Sequence, residues 1–235
     1  MRNSKKIAMV IAGITVLGTM VCPVAAEEGA TRLVTDVFGR EVEIPEEVEN
    51  CVALGSAARL IVYAGGTEKI IGCTEMELRG DPGMPYAYAN KDFFANCQAM
   101  ASGGSGNADY AESIVALDPD VIFYQDSDTV AMEDLAAKTG LPVVGVYGDA
   151  FNSHYLTDSI NLIGDVLGTE EHAENVVNSI TGWVEELDTL TKDIPDDEKP
   201  TVYPGAVSWS GGHGFTGTYV NYAPFEAIHA ISLPD

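Results

Sequence analysis

Eight residues of this chain pair useful side-chain chemistry with a position beside a break in the apolar pattern. They are Ser56, Arg59, Tyr86, Tyr88, Glu112, Tyr124, Trp209 and His213. Tyrosine and tryptophan rings supply flat apolar area with a polar edge, and an arginine fork pairs with carboxylates. His213, flanked by Gly212 and Gly214, carries a nitrogen able to coordinate a metal. Each has a plainer role as well: Tyr86 and Tyr88 packing their own loop, Arg59 as a surface charge, His213 as a structural histidine, Glu112 as an acid favoured in a first helical turn. Covalent chemistry has less support. No G-x-S-x-G elbow is present for a hydrolase nucleophile. Ser102-Gly103-Gly104-Ser105-Gly106 lacks both the strand-to-helix context of a dinucleotide loop and the lysine of a P-loop. No CxxC or Cys/His spacing points to zinc, and His154, His172, His213 and His229 are scattered.

The elements that must position these residues alternate between strand and helix. Residues 31–45 alternate apolar and polar around Phe38-Gly39-Arg40, as a β-hairpin does. Asn50 to Leu54 reads as a first core strand, followed by Gly55 and by Ser56 as the N-cap of a helix that Gly65-Gly66 closes. Lys69 to Cys73 is a second strand, and a polar loop then leads to a helix near Tyr86 to Ala95. In Glu112 to Tyr124, ESIVALDPDVIFY, a short helix places Ile114, Val115 and Leu117 on one face, and Pro119 prevents its continuation. Val121 to Tyr124 is then a continuous apolar run, expected of a strand covered on both faces. Thr129 to Thr139 is a helix and Pro142 to Tyr147 a strand. The spacing therefore predicts an α/β fold, a doubly wound, Rossmann-like parallel sheet, over residues 27–152. Ligands of such sheets bind outside the C-terminal strand ends, which places Ser56, Arg59, the Met84–Tyr88 loop, Gly103-Gly104 and Tyr124 to Asp126 around one crevice.

Residues 153–194 change character. Leu156, Ile160, Ile163 and Leu167 share a helical stripe, Gly168 interrupts it, and Ala173, Val176, Val177, Ile180, Val184 and Leu187 resume it to about Lys192. The second stretch is a rod of roughly 36 Å at about 1.5 Å per residue. Pro195 to Pro200 is a polar linker, and Thr201-Val202-Tyr203 opens another strand, so 195–235 is the start of a second α/β lobe. Such a lobe needs roughly 100 residues, and the sequence is therefore expected to stop inside it.

The N-terminus carries Arg2, Lys5 and Lys6, an apolar stretch from Ile7 to Val21, and Val24-Ala25-Ala26 before Glu27. This is the pattern of a signal peptide over residues 1–26 cleaved after Ala26. Cys22 lacks the small preceding residue that a lipobox wants; lipid attachment there and an uncleaved anchor are the alternatives. Cleavage removes three basic residues and no acid, taking the formal charge from −24 to −27. That balance excludes nucleic acid and disfavours anionic membranes as partners. Cys51, Cys73 and Cys97 remain, an odd number that allows at most one internal disulfide. Cys51 and Cys73 lie in strand-like runs and read as small buried hydrophobes.

Several short motifs, taken in order, carry a resemblance over about Thr31 to Asp235. These are Leu33-Val34-Thr35-Asp36 through Gly39-Arg40, Gly55-Ser56 before Arg59-Leu60-Ile61-Val62-Tyr63, Ser113-Ile114-Val115-Ala116-Leu117-x-Pro119-Asp120-Val121-Ile122, Lys199-Pro200-x-Val202-Tyr203, Gly205-x-Val207-Ser208-Trp209 and Gly212-His213-Gly214. With the signal peptide, hairpin, lobe and rod, the chain resembles the substrate-binding proteins of ABC importers, within the class that takes up ferric siderophores, haem and cobalamin. The resemblance implies a monomeric, non-enzymatic, exported receptor with no cofactor of its own. Two lobes would close over a metal chelate, and the rod would limit their hinge motion. Ser56, Arg59, Tyr86, Tyr88, Tyr124, Trp209 and His213 would then face the chelate, the aromatic rings against a macrocycle or catecholate. The resemblance also implies that one glutamate on each lobe docks onto arginines of the permease, which works with its ATPase. Glu112 occupies that place in the first lobe, and its counterpart would lie beyond Asp235. The competing readings are a receptor for bare zinc or manganese, an exported α/β hydrolase, and a surface interaction protein that no longer transports. Adjacent permease and ATPase genes would separate the last from the first.

Overall fold

The computed structural model describes residues 29–103, 110–148, 150–207 and 214–233. The signal-peptide reading, Trp209 and His213 lie outside them. Strands β1 (Thr31–Thr35) and β2 (Glu41–Pro45) form the expected antiparallel hairpin. Its turn is closed by Asp36, whose carboxylate accepts from the Phe38 and Arg40 amides at 3.0 and 2.9 Å.

The centre of the fold is a five-stranded, wholly parallel sheet in the order β5-β4-β3-β6-β7. Its strands are β3 (Cys51–Leu54), β4 (Ile70–Thr74), β5 (Gln98–Ala101), β6 (Val121–Gln125) and β7 (Val143–Val146). Residues of β3 and β6 alternate between the two faces. Cys51, Ala53, Val121 and Phe123 pack with α1 (Ala57–Tyr63) and α7 (His154–Leu167), while Val52, Leu54, Ile122 and Tyr124 pack with α5 (Ala111–Leu117) and α6 (Thr129–Thr139). Two cores on one sheet explain why 121–124 is apolar throughout. Each fully buried Ile or Phe of this kind contributes about 1.5–3 kcal/mol.

Three details differ from the sequence-based expectation. The stretch predicted as one helix near Tyr86 to Ala95 is two single turns, α3 (Pro85–Ala89) and α4 (Lys91–Phe94), preceded by another turn, α2 (Glu75–Leu78). Edge strand β5 carries no strand-favouring residue type, and its pairing with β4 creates it. On α5, Ile114 is buried, but Val115 stays 47% exposed. Positions one residue apart lie on different helical faces. The helix also stops before Pro119 is reached, with Asp118 left-handed at φ 54°.

Helix α7 is capped by the Ser153 hydroxyl, which accepts from the Tyr155 amide, and it ends at left-handed Gly168. Helix α8 (Glu170–Thr191) then packs along it through the first part of the predicted stripe, Ala173, Val176, Val177 and Ile180. Its 22 residues make a rod of about 33 Å. Beyond it, β8 (Thr201–Val202) pairs in parallel with β9 (Ile231–Ser232), with α9 (Ala223–Glu226) between them. No helix among the described residues is long and apolar enough to cross a membrane.

Candidate functional site

The sheet grows outward from β3 in both directions, with β4 and β5 on one side and β6 and β7 on the other. Where the winding reverses, between β3 and β6, the loops leave in opposite directions and open a crevice at the carboxyl ends of the strands. Gly55 forms its floor, at φ 64°, and a Cβ there would sit 2.3 Å from the Gln125 carbonyl oxygen. Only glycine permits that turn and that closeness. Ser56 stands next to it, exposed, at the N-cap position of α1. Its hydroxyl makes no capping hydrogen bond, unlike that of Ser153.

Arg59, one turn into α1, is half-buried rather than a free surface charge. Its Nη2 donates to the Gly148 carbonyl beyond β7. Its Nε is enclosed and makes no hydrogen bond among the described residues, and the same holds for Gln125 Oε1 at the end of β6. The guanidinium is thus held across the crevice with a donor to spare.

Beside it lies a site that the sequence reading missed. Glu77 is 1% exposed, and its two carboxylate oxygens accept from the hydroxyls of Thr74 and Tyr86, the latter at 2.8 Å. The Thr74 hydroxyl also caps α2, accepting from the Met76 amide. Burial and then the Glu77 carboxylate push the Tyr86 phenol well above its ordinary value near 10, opposed by nearby Arg59. Tyr86 therefore keeps its proton while its hydroxyl faces Glu77. The folded state holds this proton where the unfolded chain releases it, so the contribution of Tyr86 is whole below about pH 10 and falls as pH rises further. Denaturation midpoints across alkaline pH should show a drop that Tyr86→Phe removes.

The remaining candidates are dispersed. Tyr88 is 47% exposed, with Lys91 Nζ 5.1 Å from its ring centre. Tyr124, expected to point into the crevice, is only 8% exposed and packs in the core under α5 and α6; the strand alternation that sends Phe123 to one face sends Tyr124 to the other. Glu112 is exposed in the first turn of α5, at the sheet edge that holds Ser56. An aromatic group was also missed: Tyr147, directly after β7, lies 6.2 Å from Phe38 and 5.8 Å from Tyr155, ring centre to ring centre. Its place at a strand end was readable from the sequence.

A surface depression of about 570 Å³ lies on the opposite edge, beside Glu49 and Lys69 before β3 and β4. Its lining is mainly charged and holds none of the crevice residues, so the crevice at the winding reversal remains the better candidate.

A sequence model of the family described as periplasmic binding protein matches residues 52–224. The chain belongs to the periplasmic binding protein family. This is a family of transport receptors, not of enzymes. An uncharacterised ABC transporter substrate-binding lipoprotein, YvrC of Bacillus subtilis, is 24% identical over 174 residues, covering 72% of this chain and 50% of the relative. This periplasmic binding protein chain therefore spans about half the length of that curated relative. Among solved structures, a periplasmic solute binding protein of Veillonella parvula matches with a TM-score of 0.56 at 21% identity, over 75% of this chain and 52% of the other. The haem binding protein HmuT, in a mutant form, matches with 0.55 at 17% identity, over 93% and 68%. The molybdate-binding MolA of Haemophilus influenzae matches with 0.55 at 21% identity, over 72% and 57%. At these identities the likeness establishes the shared α/β fold of the binding-protein lobe.

Proposed function

We propose that this chain is the extracytoplasmic receptor of an ABC importer, binding a metal chelate such as a ferric siderophore, haem or cobalamin at the crevice of its parallel sheet. The observation that carries this reading is the half-buried Arg59, fixed between α1 and Gly148 with its charge acting on the nearby Tyr86 phenol, in a family of binding proteins. A cation with an unused donor beside a ring suits a flat ligand edged with carboxylates. Ser56, Tyr88, Trp209 and His213 complete the proposed contact set. Proteins of the same fold include the haem binding protein HmuT and Staphylococcus aureus SirA complexed with staphyloferrin B.

A bare zinc or manganese ion fits less well. His154 stacks on Tyr155 with ring centres 4.2 Å apart, and His229 pairs with Asp188 on α8 at 2.9 Å. These two imidazoles are already engaged with other side chains.

The test is to titrate the full-length protein with ferric siderophores, haem and corrinoids while following tryptophan fluorescence. Trp183, 64% exposed on α8, gives a steady background against which a change at Trp209 is read. Saturable quenching by one chelate class is expected. No response to any of them, with tight zinc or manganese binding instead, would overturn the reading.

The proposed partner is a membrane permease with its ATPase, met by a monomeric receptor through Glu112. Glu112→Arg should leave chelate affinity within about twofold, because exposed substitutions on a helix's first turn cost little. Cellular uptake should be lost. Equal loss of affinity and uptake would refute the docking role.

A further inference from the structure

Two consecutive residues after β7 are each pinned by a side chain from another element. The Tyr147 amide donates to Ser159 Oγ at 2.8 Å, and the same hydroxyl donates to the Tyr147 carbonyl at 2.8 Å. Ser159, on α7, is fully buried, in surroundings where such bonds are strong. Gly148 then gives its carbonyl to Arg59 Nη2 of α1. A Cβ at Gly148 would come within 2.9 Å of Leu156 and 3.0 Å of Leu60, so the backbone passes where a side chain would collide. The Arg59 fork is thereby held one residue along the chain from Tyr147.

Tyr147 in turn belongs to a ring cluster drawn from three elements. Its ring meets Phe38 of the hairpin turn at 6.2 Å and 66°, and Tyr155 of α7 at 5.8 Å and 83°, both edge-to-face. Phe38 and Tyr155 are 6.3 Å apart and inclined by 31°. All three are half-buried, and His154 beside Tyr155 is exposed. Ile44, which seats the same hairpin, is fully enclosed. The three rings instead keep open surface by the end of β7, on the sheet edge where ligands of such folds bind. Edge-to-face arrays accept a further ring in the same manner, and an arginine fork nearby suits a carboxylate or phenolate on that ring's edge. Citrate and simple hydroxamate chelates bring no ring to such a cluster.

We propose that Phe38, Tyr147 and Tyr155 form an aryl subsite of the crevice, whose ligand carries an aromatic ring with an anionic edge, as catecholate chelates and porphyrins do. This rests on the reading of the crevice as the ligand site. The pinned loop fixes Tyr147 before ligand arrives, so less ordering entropy is lost on binding.

Titration of the full-length protein should compare four probes: the ferric complex of 2,3-dihydroxybenzoate, haem, ferric citrate and ferric acetohydroxamate. One of the first two should bind about tenfold or more tightly than either of the last two, and which one it is separates catecholate from porphyrin. Tyr147→Leu and Tyr155→Leu, each checked for folding by circular dichroism, should lower that affinity about three- to tenfold. Tyr147→Phe, which keeps the ring, should stay within about twofold of the unmodified protein. Tighter binding of the citrate or hydroxamate complex, or no loss in a folded leucine variant, would overturn the subsite and leave the chelate reading standing. If none of the four binds, metal-free 2,3-dihydroxybenzoate decides. Saturable binding that falls in Tyr147→Leu keeps the subsite and sinks the chelate reading, whereas no binding removes both.

Discussion

Asp36→Ala is expected to lower the unfolding free energy by about 3–5 kcal/mol, the usual cost of removing one partner from a buried charge pair. The side chain of Asp36 is fully enclosed and meets Arg40 Nη2 at 2.7 Å and Nε at 2.9 Å. It also accepts from the Phe38 and Arg40 amides, and from the Gly145 amide at 3.1 Å in β7. Arg40, itself only 18% exposed, donates in turn to the Val143 carbonyl. Without the carboxylate, three amides and a guanidinium lose their acceptor in a place water reaches poorly. Asp36→Asn keeps the shape and an acceptor oxygen and should lose less. Urea denaturation monitored by circular dichroism checks both; a change below about 1 kcal/mol for Asp36→Ala, the worth of an exposed pair, would show that this clamp does not hold the hairpin.

Gly55→Val should cost about 3 kcal/mol, combining a left-handed backbone penalty of about 1–2 kcal/mol with the strain of inserting atoms into filled space. The new Cβ would overlap the Gln125 carbonyl, so β3 and β6 would have to part at the crevice floor. Gly140→Ala is the control. It too has a positive φ, 72°, but no atom lies within 4 Å of the added carbon. Only the backbone penalty applies there, and its loss should be about 1 kcal/mol. Chemical denaturation of the two variants side by side separates steric overlap from backbone strain. Chelate titration of folded Gly55→Val should also show weakened binding if the crevice is the ligand site.

Much of the frame was legible because apolar periodicity and punctuation agreed with one another. The Gly-Ser turn after β3, the hairpin at Phe38-Gly39-Arg40 and the Gly168 break between α7 and α8 all carry residues whose local conformation is chemically restricted. Strand β5 was not legible, because Gln98-Ala99-Met100-Ala101 becomes a strand through its neighbour and not through its own residue types. Tyr124 shows the limit of reading a strand end: the side-chain alternation decides whether the last aromatic meets ligand or core. Glu77 could have been found. Thr74-x-x-Glu77 is the spacing of a capping box, although the glutamate here takes the threonine hydroxyl rather than the N-cap amide. In a chain with 36 acidic residues, residue type alone does not distinguish this buried glutamate from its exposed counterparts.

The union of the N-terminal hairpin with β7 also bears on the order of folding events. Asp36 and its Gly145 partner are 109 positions apart, so closing this contact carries a large loop-entropy cost until the parallel strands between them have assembled. The hairpin can form early by itself, but its docking belongs to the far side of the folding barrier. An interaction absent from the transition state slows unfolding and leaves the folding rate nearly unchanged. The Asp36 clamp therefore acts as a latch, setting how long the finished lobe stays shut against unfolding rather than how fast it is reached.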